Sequence, residues 1–312
     1  MSHSSLSAQT SLPIVALRRR PRHPRRQLEP YIYLLPTAVV VAAVVVYPLI
    51  YTVGLSLFDV NLLQLARARF VGLGNYVDML GDGTFWHSLG VTATYTLATV
   101  AVSLGLGLGT ALLLNREHRF RTLARAVIIL PWATPWLVAC LIWYVLLNPQ
   151  FGLVNSLLRI VGIVHSGSPL LYQSSTALPA VVVVTAWRLF PMATLLLLAG
   201  LQAIPRDQYE AASVDGADTW KQFRHITLPN LSTVGVVVAV LLTIWSFKLF
   251  TVIYVLTAGG PAGATETLAI LSYEQGFKYY NLGTGSTIAV LMVIVSAVLV
   301  AAYFSLLRRE AT

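Results

Sequence analysis

Six long apolar runs, separated by short polar segments, dominate the pattern of hydrophobic and polar positions. Each run is long enough to cross a bilayer, which takes about 20 apolar residues in a helix. Backbone groups in lipid must be hydrogen-bonded within their own segment, so each run should be helical. The pattern predicts an all-α membrane protein with six transmembrane helices. The runs lie near residues 31–58, 87–114, 122–147, 177–202, 231–257 and 284–307.

Prolines and glycines inside the runs predict local features of these helices. A proline removes a backbone donor and clashes with the preceding turn, so a proline should kink its helix. Gly105 and Gly109 form a small-residue pair in the second run, which suits close helix packing. The expected kinks lie at Pro48, Pro131, Pro135 and Pro191.

The composition agrees with a membrane domain and argues against a soluble one. Hydrophobic residues make up 56% of the chain and charged residues only 11%, where a soluble domain carries about 25% charged residues. The net charge of +9 does not point to nucleic acid, because the cations lie in short segments between apolar runs. That distribution is typical of membrane topology.

Three regions follow from this pattern. Residues 1–30 are rich in Ser and Arg and predict a disordered, cytoplasmic basic tail. The first apolar run is far longer than the apolar part of a signal peptide, about 7–15 residues. Residues 31–307 are the predicted membrane domain, and residues 308–312 the C-terminus.

The Lys and Arg residues also predict an orientation. They concentrate in the N-terminal tail, the second-to-third and fourth-to-fifth connections, and the C-terminus. Because cytoplasmic segments carry an excess of these residues, both termini should be cytoplasmic, which requires an even number of spans.

Two cations, Arg188 and Lys248, fall inside predicted spans. A charge in the membrane is costly and usually faces a wet cavity or a partner. No acidic residue lies at comparable depth, which favours water or a polar ligand as their partner. The alternative is snorkelling, or a pairing that only holds helices together.

The fourth-to-fifth connection, residues 203–230, is more elaborate than a simple link. Pro205 can open a short helix with acids in its first turn, and Asp215-Gly216 supplies a turn. A second short helix should end at Pro229. Its apolar face would carry Trp220, Phe223 and Ile226. Such an elbow suits docking of a partner; a plain amphipathic loop lying on lipid headgroups is the alternative.

A motif in this connection resembles the coupling loop of ABC importer permeases. It consists of Glu210-Ala211-Ala212, Asp215-Gly216-Ala217, Phe223, Ile226 and Leu228-Pro229. Further similarity includes Tyr47-Pro48, Leu130-Pro131-Trp132 and the stretch from Leu256 through Gly259-Gly260-Pro261. These features resemble the carbohydrate branch of the family, and within it the first of two permease subunits.

The resemblance implies a permease subunit of an ATP-driven, binding-protein-dependent importer of a di- or oligosaccharide in the bacterial plasma membrane. The implied partners are a second permease subunit, a dimer of ATPase subunits and an extracytoplasmic binding protein. The ATPase would use ATP and Mg, and this chain would bind no cofactor. The residues implied in coupling to the ATPase are Glu210, Ala211, Ala212, Asp215, Gly216, Ala217 and Phe223.

The resemblance also implies a substrate cavity lined by the fourth and fifth spans. Its candidate residues are Thr185, Trp187, Arg188, Met192, Thr243, Ser246 and Lys248. Gly259, Gly260 and Pro261 would contact the binding protein. A glycerol-phosphate or polyol importer is the alternative, in which Arg188 and Lys248 would suit a phosphate.

Catalytic chemistry is not expected of this chain. It has no phosphate-binding Gly-x-x-x-x-Gly-Lys-Ser/Thr motif, no metal-ligand spacing among its histidines and no nucleophile–base pair. The single cysteine, Cys140, is expected to be a small buried side chain. A secondary transporter would need paired broken helices and an ion site, and a channel or purely structural subunit would not need the coupling motif.

Overall fold

The computed structural model describes residues 25–116, 119–162 and 169–310. The chain divides into two compact units, residues 1–50 and 51–312. Most of the predicted disordered tail lies outside the described residues. From Arg25 to Pro30 the chain is helical, so the predicted boundary at residue 30 is wrong there. Arg, Gln, Leu and Glu in this stretch all favour helix, which lets the first helix begin before the apolar run.

The first helix is continuous but contains a wide turn. Helix α1 (Arg25–Val41) passes through a π turn (Ala42–Val46) into α2 (Tyr47–Ser56). The N–H of Tyr47 bonds to the Ala42 carbonyl, five residues back. This wide turn lies directly before Pro48, so the expected distortion at that proline takes the form of a π turn.

A small antiparallel sheet follows the first helix. Strands β1 (Phe58–Asp59) and β2 (Arg69–Phe70) pair, with Phe58 opposite Phe70, and a 3₁₀ helix (Leu62–Arg67) connects them. The remaining helices are α3 (Gly74–Gly81), α4 (Gly83–Asn115), α5 (Arg121–Ala133), α6 (Trp136–Leu146), α7 (Leu153–Ile160), α8 (Ser174–Gln202), α9 (Arg206–Val214), α10 (Thr219–Gln222), α11 (Leu228–Phe247), α12 (Thr251–Leu256), α13 (Leu268–Tyr273) and α14 (Leu282–Glu310).

Five helices among the described residues are long and apolar enough to cross a membrane, and one bent pair of helices makes a sixth if it is counted as a single span. The broken pair is α5 and α6, which meet at an angle of 98°. The five continuous helices are Tyr33–Ser56, Gly83–Asn115, Ser174–Gln202, Thr219–Phe247 and Leu282–Tyr303. The six predicted runs therefore correspond to five continuous helices and one broken one.

The break follows from Thr134-Pro135. Helix α5 continues through Pro131 but ends at Ala133, and Thr134 and Pro135 both have extended ψ angles, 130° and 143°. A residue before proline is driven out of the helical region, which explains the break. Helix α8, in contrast, runs through Pro191 without a break.

The fifth span begins earlier and ends earlier than predicted. A π turn (Phe223–Thr227) joins α10 to α11, so the helix continues from Thr219 to Phe247. The prediction that Pro229 ends the second short helix is wrong, because the π turn precedes Pro229 and opens the turn that a proline ring would clash with. The helix ends at Lys248, and α12 is a separate helix. The apolar run continues across this break, so hydrophobicity alone placed Lys248 within the span.

Helices α4 and α8 form the centre of the membrane domain. A Cβ added to Gly107 would lie 2.7 Å from Cβ of Ala193, whereas nothing lies within 4 Å of such an atom at Gly105 or Gly109. The expected close packing through Gly105 and Gly109 is therefore not seen among the described residues. Positions two apart point about 200° apart on a helix, so Gly107 lies on the face toward α8.

Candidate functional site

The connection between α8 and α11 forms a helical elbow, residues 205–227. Pro205 precedes α9, and Gly216 follows it with a positive φ of 78°. The Gly216 N–H bonds to the Ser213 carbonyl and the Ala217 N–H to the Ala212 carbonyl. These two bonds form the motif that ends a helix at a glycine. The predicted turn at Asp215-Gly216 is present, and Gly216 is the residue in the left-handed conformation.

The second half of the elbow begins with its own cap. The Asp218 side chain accepts a hydrogen bond of 2.8 Å from the Lys221 N–H, which satisfies a free donor at the start of α10. Trp220 and Phe223 follow on one face, with ring centroids 5.7 Å apart. This helix then continues into the fifth span without interruption.

Side-chain hydrogen bonds hold the two halves of the elbow together. The Tyr209 and Thr227 hydroxyls lie 3.0 Å apart. Gln222 donates from Nε2 to Oγ of Ser213 at 2.9 Å, and Asn230 donates to Oε1 of Gln208 at 3.2 Å. Helix α9 is thereby fixed to the base of α11, and the elbow and the fifth span form one connected element.

The outer surface of the elbow is exposed. Val214 is 89% exposed and Trp220 is 66% exposed, and Glu210 and Ala211 are exposed on the preceding helix. These residues offer exposed apolar and charged groups on the two helices of the elbow. Of the motif residues, Ala212, Ala217 and Phe223 are half-buried, and Asp215 and Gly216 are exposed.

The N-terminal end of α5 is attached beside the elbow. With its amide oxygen facing α5, Gln202 accepts hydrogen bonds from Nη2 of Arg121 at 2.6 Å and of Arg125 at 3.2 Å. A cavity of about 570 Å³ lies at this point, and Arg121, Gln202 and Glu210 contribute to its wall. The end of α8, the start of α5 and helix α9 therefore meet in one place.

A second cavity, of about 440 Å³, lies at the other end of the fifth span. It contains both predicted membrane cations, Arg188 and Lys248. None of the described residues that line it is acidic. Four aromatic side chains also line the cavity: Trp132, Trp136, Trp245 and Phe250.

Arg188 is held by the broken span. Its Nε donates to the Thr134 carbonyl at 3.0 Å, and its guanidinium lies 4.0 Å from the centre of the Trp136 ring. The break at Thr134 leaves carbonyls without helical partners, and a cation can satisfy one of them. The lack of nearby acids favours water or a polar ligand as the partner of Arg188, and the structure adds a backbone carbonyl and an indole face as partners within the protein.

The other predicted cavity residues lie elsewhere in the fold. The Thr185 hydroxyl is buried, 2.9 Å from the Tyr95 hydroxyl. Thr243 is buried, and its hydroxyl lies 3.0 Å from that of Tyr303. Trp187 packs edge-on against Trp143 at 5.6 Å. Ser246 is buried and Met192 half-buried, and neither lines this cavity.

The loop after α12 is compact and internally bonded. Gly259 has a φ of 85°, and an added Cβ would lie 2.9 Å from the Ile270 side chain, so both backbone and space require glycine there. The Thr265 hydroxyl donates to the Gly260 carbonyl at 2.8 Å. Gly259 is buried and Gly260 and Pro261 are half-buried, while the neighbouring Ala262 is exposed.

An acidic residue beside this loop is partly withdrawn from water. Burial raises the pKa of the Glu266 carboxyl, and the nearby Glu274 carboxylate raises it further. His87 opposes this shift, and its Nε2 lies 3.1 Å from the Gly263 carbonyl. The loop is thus attached to α4 through a histidine.

Comparison with known proteins identifies the family. Residues 101–311 match the model of the binding-protein-dependent transport system inner membrane component. The chain is 39% identical to the trehalose/maltose transport system permease MalF of Thermococcus litoralis over 267 residues, 84% of this chain and 87% of that protein. It is 34% identical to the trehalose transport system permease SugA of Mycobacterium tuberculosis, over 84% of this chain and 83% of that protein.

The chain belongs to this family. A solved structure of a bacterial alginate ABC transporter, in complex with an alginate pentasaccharide-bound periplasmic protein, has the same fold. Its TM-score is 0.77 at 20% identity, covering 91% of this chain and 96% of that chain. The predicted all-α permease architecture is thereby confirmed.

Sequence reasoning missed several residues that organise the permease. Tyr209, Asp218 and Gln222 hold the elbow together, and Trp132, Trp136 and Trp245 line the cavity. A signal for the cavity existed: Trp132 and Trp136 flank Thr134-Pro135, so a break there places both indoles at the bend. Asp218 is a local helix cap three residues before its partner, whereas the contacts of Tyr209 and Gln222 join side chains 18 and 9 residues apart, and no local pattern indicates them.

Proposed function

We propose that the chain is a permease subunit of an ATP-driven, binding-protein-dependent importer of a di- or oligosaccharide. One observation carries the proposal: a single helix connects the exposed elbow to the aromatic cavity. Such a helix can transmit a movement at a docking surface to a substrate site. The names of the relatives, a trehalose/maltose permease and a trehalose permease, support a sugar as the cargo.

In this proposal a pair of ATPase subunits docks on the elbow. Glu210 would make the polar contact, Val214 and Trp220 the apolar ones, and Ala211, Ala212 and Ala217 would permit close approach. ATP and Mg would be bound by the ATPase. A second permease subunit would complete the cavity, and a binding protein would deliver the sugar near residues 259–261. Both termini would be cytoplasmic.

The sugar would lie on aromatic surfaces in the cavity. Indole rings offer large apolar faces with a polar handle, which match the apolar face of a sugar ring and its hydroxyls. Arg188 and Lys248 would donate hydrogen bonds to the hydroxyls. The buried hydroxyls of Thr185, Thr243 and Ser246, with Trp187 and Met192, would support the walls and contact sugar only after a rearrangement.

The test is sugar uptake into proteoliposomes that contain the complete transporter and its binding protein. We expect uptake of a labelled disaccharide to need ATP inside and to survive collapse of ion gradients. Uptake that needs an ion gradient and does not depend on ATP would overturn the proposal.

Within this assay, Glu210→Ala tests the coupling role. We expect it to lower both uptake and sugar-stimulated ATP hydrolysis by about 10- to 100-fold, because a hydrogen bond to a charged group is worth about 1.5–3 kcal/mol. Asp207→Asn is the matched control, since it changes an acid one turn earlier on the same exposed helix. Equal losses in both variants would contradict a specific role for Glu210.

A second cargo class follows from a separate observation. Two cations and no described acid line the cavity, which also suits a phosphate. Glycerol 3-phosphate in the same assay distinguishes the two cargoes: if it competes with labelled disaccharide, or replaces it, the phosphate reading is favoured.

A further inference from the structure

Four aromatic rings form a continuous series beyond the end of the fifth span. Phe277 stacks on Tyr273 with centroids 5.5 Å apart, Tyr273 lies 5.1 Å from Tyr254, and Tyr254 stacks on Phe250 at 4.9 Å. Tyr273 also lies 5.0 Å from Phe250. We call Phe250, Tyr254, Tyr273 and Phe277 the aromatic ladder.

The ladder is built from two short helical segments. Phe250 and Tyr254 are four residues apart at the start of α12, and Tyr273 and Phe277 are four residues apart across the end of α13 and its π turn (Glu274–Lys278). Side chains four apart lie on one helical face. The two segments therefore turn their aromatic faces toward each other.

The ladder is not sealed inside the protein. Tyr254 is 41% exposed and Phe277 is 65% exposed, and Phe250 and Tyr273 are half-buried. The hydroxyls of Tyr254 and Tyr273 lie 3.4 Å apart, so the ladder also presents paired phenols. Stacked rings that served only as core would be covered more completely.

The ladder ends in the cavity. Phe250 belongs to the aromatic ladder and also lines the cavity, together with Trp132, Trp136 and Trp245. Aromatic surface therefore continues from the exposed ring of Phe277 to the tryptophans at the bend of the broken span. This path begins at the end of the fifth span opposite the elbow.

We propose that the aromatic ladder is a saccharide-binding path that carries sugar rings from the binding-protein side into the cavity. This inference rests on the proposed function and extends it. Each aromatic face can bind the apolar face of a sugar ring, and the two phenols can exchange hydrogen bonds with its hydroxyls. A series of similar rings, with no charge among the four, lets the sugar move from one to the next without a strong binding step.

The test compares leucine and phenylalanine substitutions in proteoliposome uptake, with maltose, trehalose and maltotetraose as probes. Tyr254→Leu and Phe277→Leu keep apolar bulk but remove a ring. We expect each to raise KM for uptake about three- to tenfold, with a larger effect on maltotetraose than on maltose. Tyr254→Phe keeps the ring and loses only the phenol hydroxyl, so KM should rise less than in Tyr254→Leu, by about two- to threefold.

The matched control is Tyr279→Leu, which removes a half-exposed ring two residues beyond the ladder. It should leave KM unchanged. ATP hydrolysis without sugar and elution of the assembled transporter as a single peak should be as in wild type for all variants. If Tyr254→Leu fails to assemble, Phe277→Leu alone decides, because its exposed ring contributes little packing.

Wild-type KM in Phe277→Leu and Tyr254→Leu would overturn the ladder while leaving the proposed function intact. An equal rise in Tyr279→Leu, or a rise that is the same for maltose and maltotetraose, would also overturn it. Absence of ATP-dependent uptake in the wild-type transporter for every probe would instead count against the proposed function itself.

Discussion

At the scale of single residues, Gly107 shows how one missing side chain determines the contact of two spans. The space that a Cβ would need is occupied by Ala193 of α8. One turn away, the hydroxyls of Thr110 and Thr194 lie 2.6 Å apart and join the same two helices. Small residues and hydroxyl pairs are the usual means of close helix packing in membranes.

This contact gives a residue-scale prediction. Gly107→Ala should lower the free energy of unfolding by about 1–3 kcal/mol, because the added methyl overpacks the contact with α8. Gly105→Ala should be neutral or stabilising by up to about 1 kcal/mol, because it adds helix propensity in open space. Thermal or denaturant-induced unfolding of the detergent-solubilised permease measures both changes in the free energy of unfolding. Equal effects would mean that Gly107 does not pack against α8.

Single residues also show where sequence reasoning ended. The scarcity of charge in the apolar runs was enough to single out Arg188 and Lys248, and both line the cavity. It did not reveal that Thr134 and Trp136 hold Arg188, because those partners lie 54 and 52 positions away and are brought close only by the broken span.

At the scale of elements, the elbow depends on one left-handed residue. Gly216 has nothing within 4 Å of an added Cβ, so only its backbone angle requires glycine. Gly216→Ala should therefore destabilise the end of α9 by about 1–2 kcal/mol. Hydrogen exchange at the Ala217 amide, which bonds to the Ala212 carbonyl, should accelerate about tenfold.

The control for this change is Gly235→Ala, which lies within α11 and also has open space around it. It should leave exchange at Ala217 unchanged. Unaltered exchange in Gly216→Ala would show that the turn tolerates a side chain and that its conformation does not limit the elbow.

Most elements were predictable, and the exceptions have physical causes. Hydrophobic length located the five spanning helices of the described residues. Proline chemistry marked four positions alike, and the helix breaks at Pro135 but continues through Pro131 and Pro191. The early end of the fifth span at Phe247 was not predictable, because Leu249, Phe250 and the apolar residues of α12 continue the run. The π turns before Pro48 and Pro229 depend on hydrogen-bond spacing, which residue types alone do not specify.

At the scale of the whole molecule, the single cysteine makes the orientation testable. Cys140 is fully buried, so folded wild-type protein should resist maleimide labelling and leave a low background. Phe120→Cys and Tyr279→Cys place thiols at exposed positions on the second-to-third connection and after α13. With cytoplasmic termini, a membrane-impermeant maleimide should label Tyr279→Cys in right-side-out vesicles and Phe120→Cys only in inverted ones.

The reverse labelling pattern would overturn the proposed orientation and place the elbow outside. Labelling of both variants in one kind of vesicle would contradict the number of crossings. Each vesicle preparation can be checked by labelling after detergent treatment, which should expose both introduced thiols while Cys140 stays protected.

The continuous helix from Thr219 to Phe247 is long enough for a small tilt at one end to move the other end by several ångströms. Its 29 residues measure about 44 Å at 1.5 Å per residue. A tilt of about 10° at its base would sweep the far end through about 8 Å, more than the depth of an aromatic ring stack. In the proposed function, a small rocking of the elbow would thus be amplified into a movement large enough to open one side of the cavity and close the other.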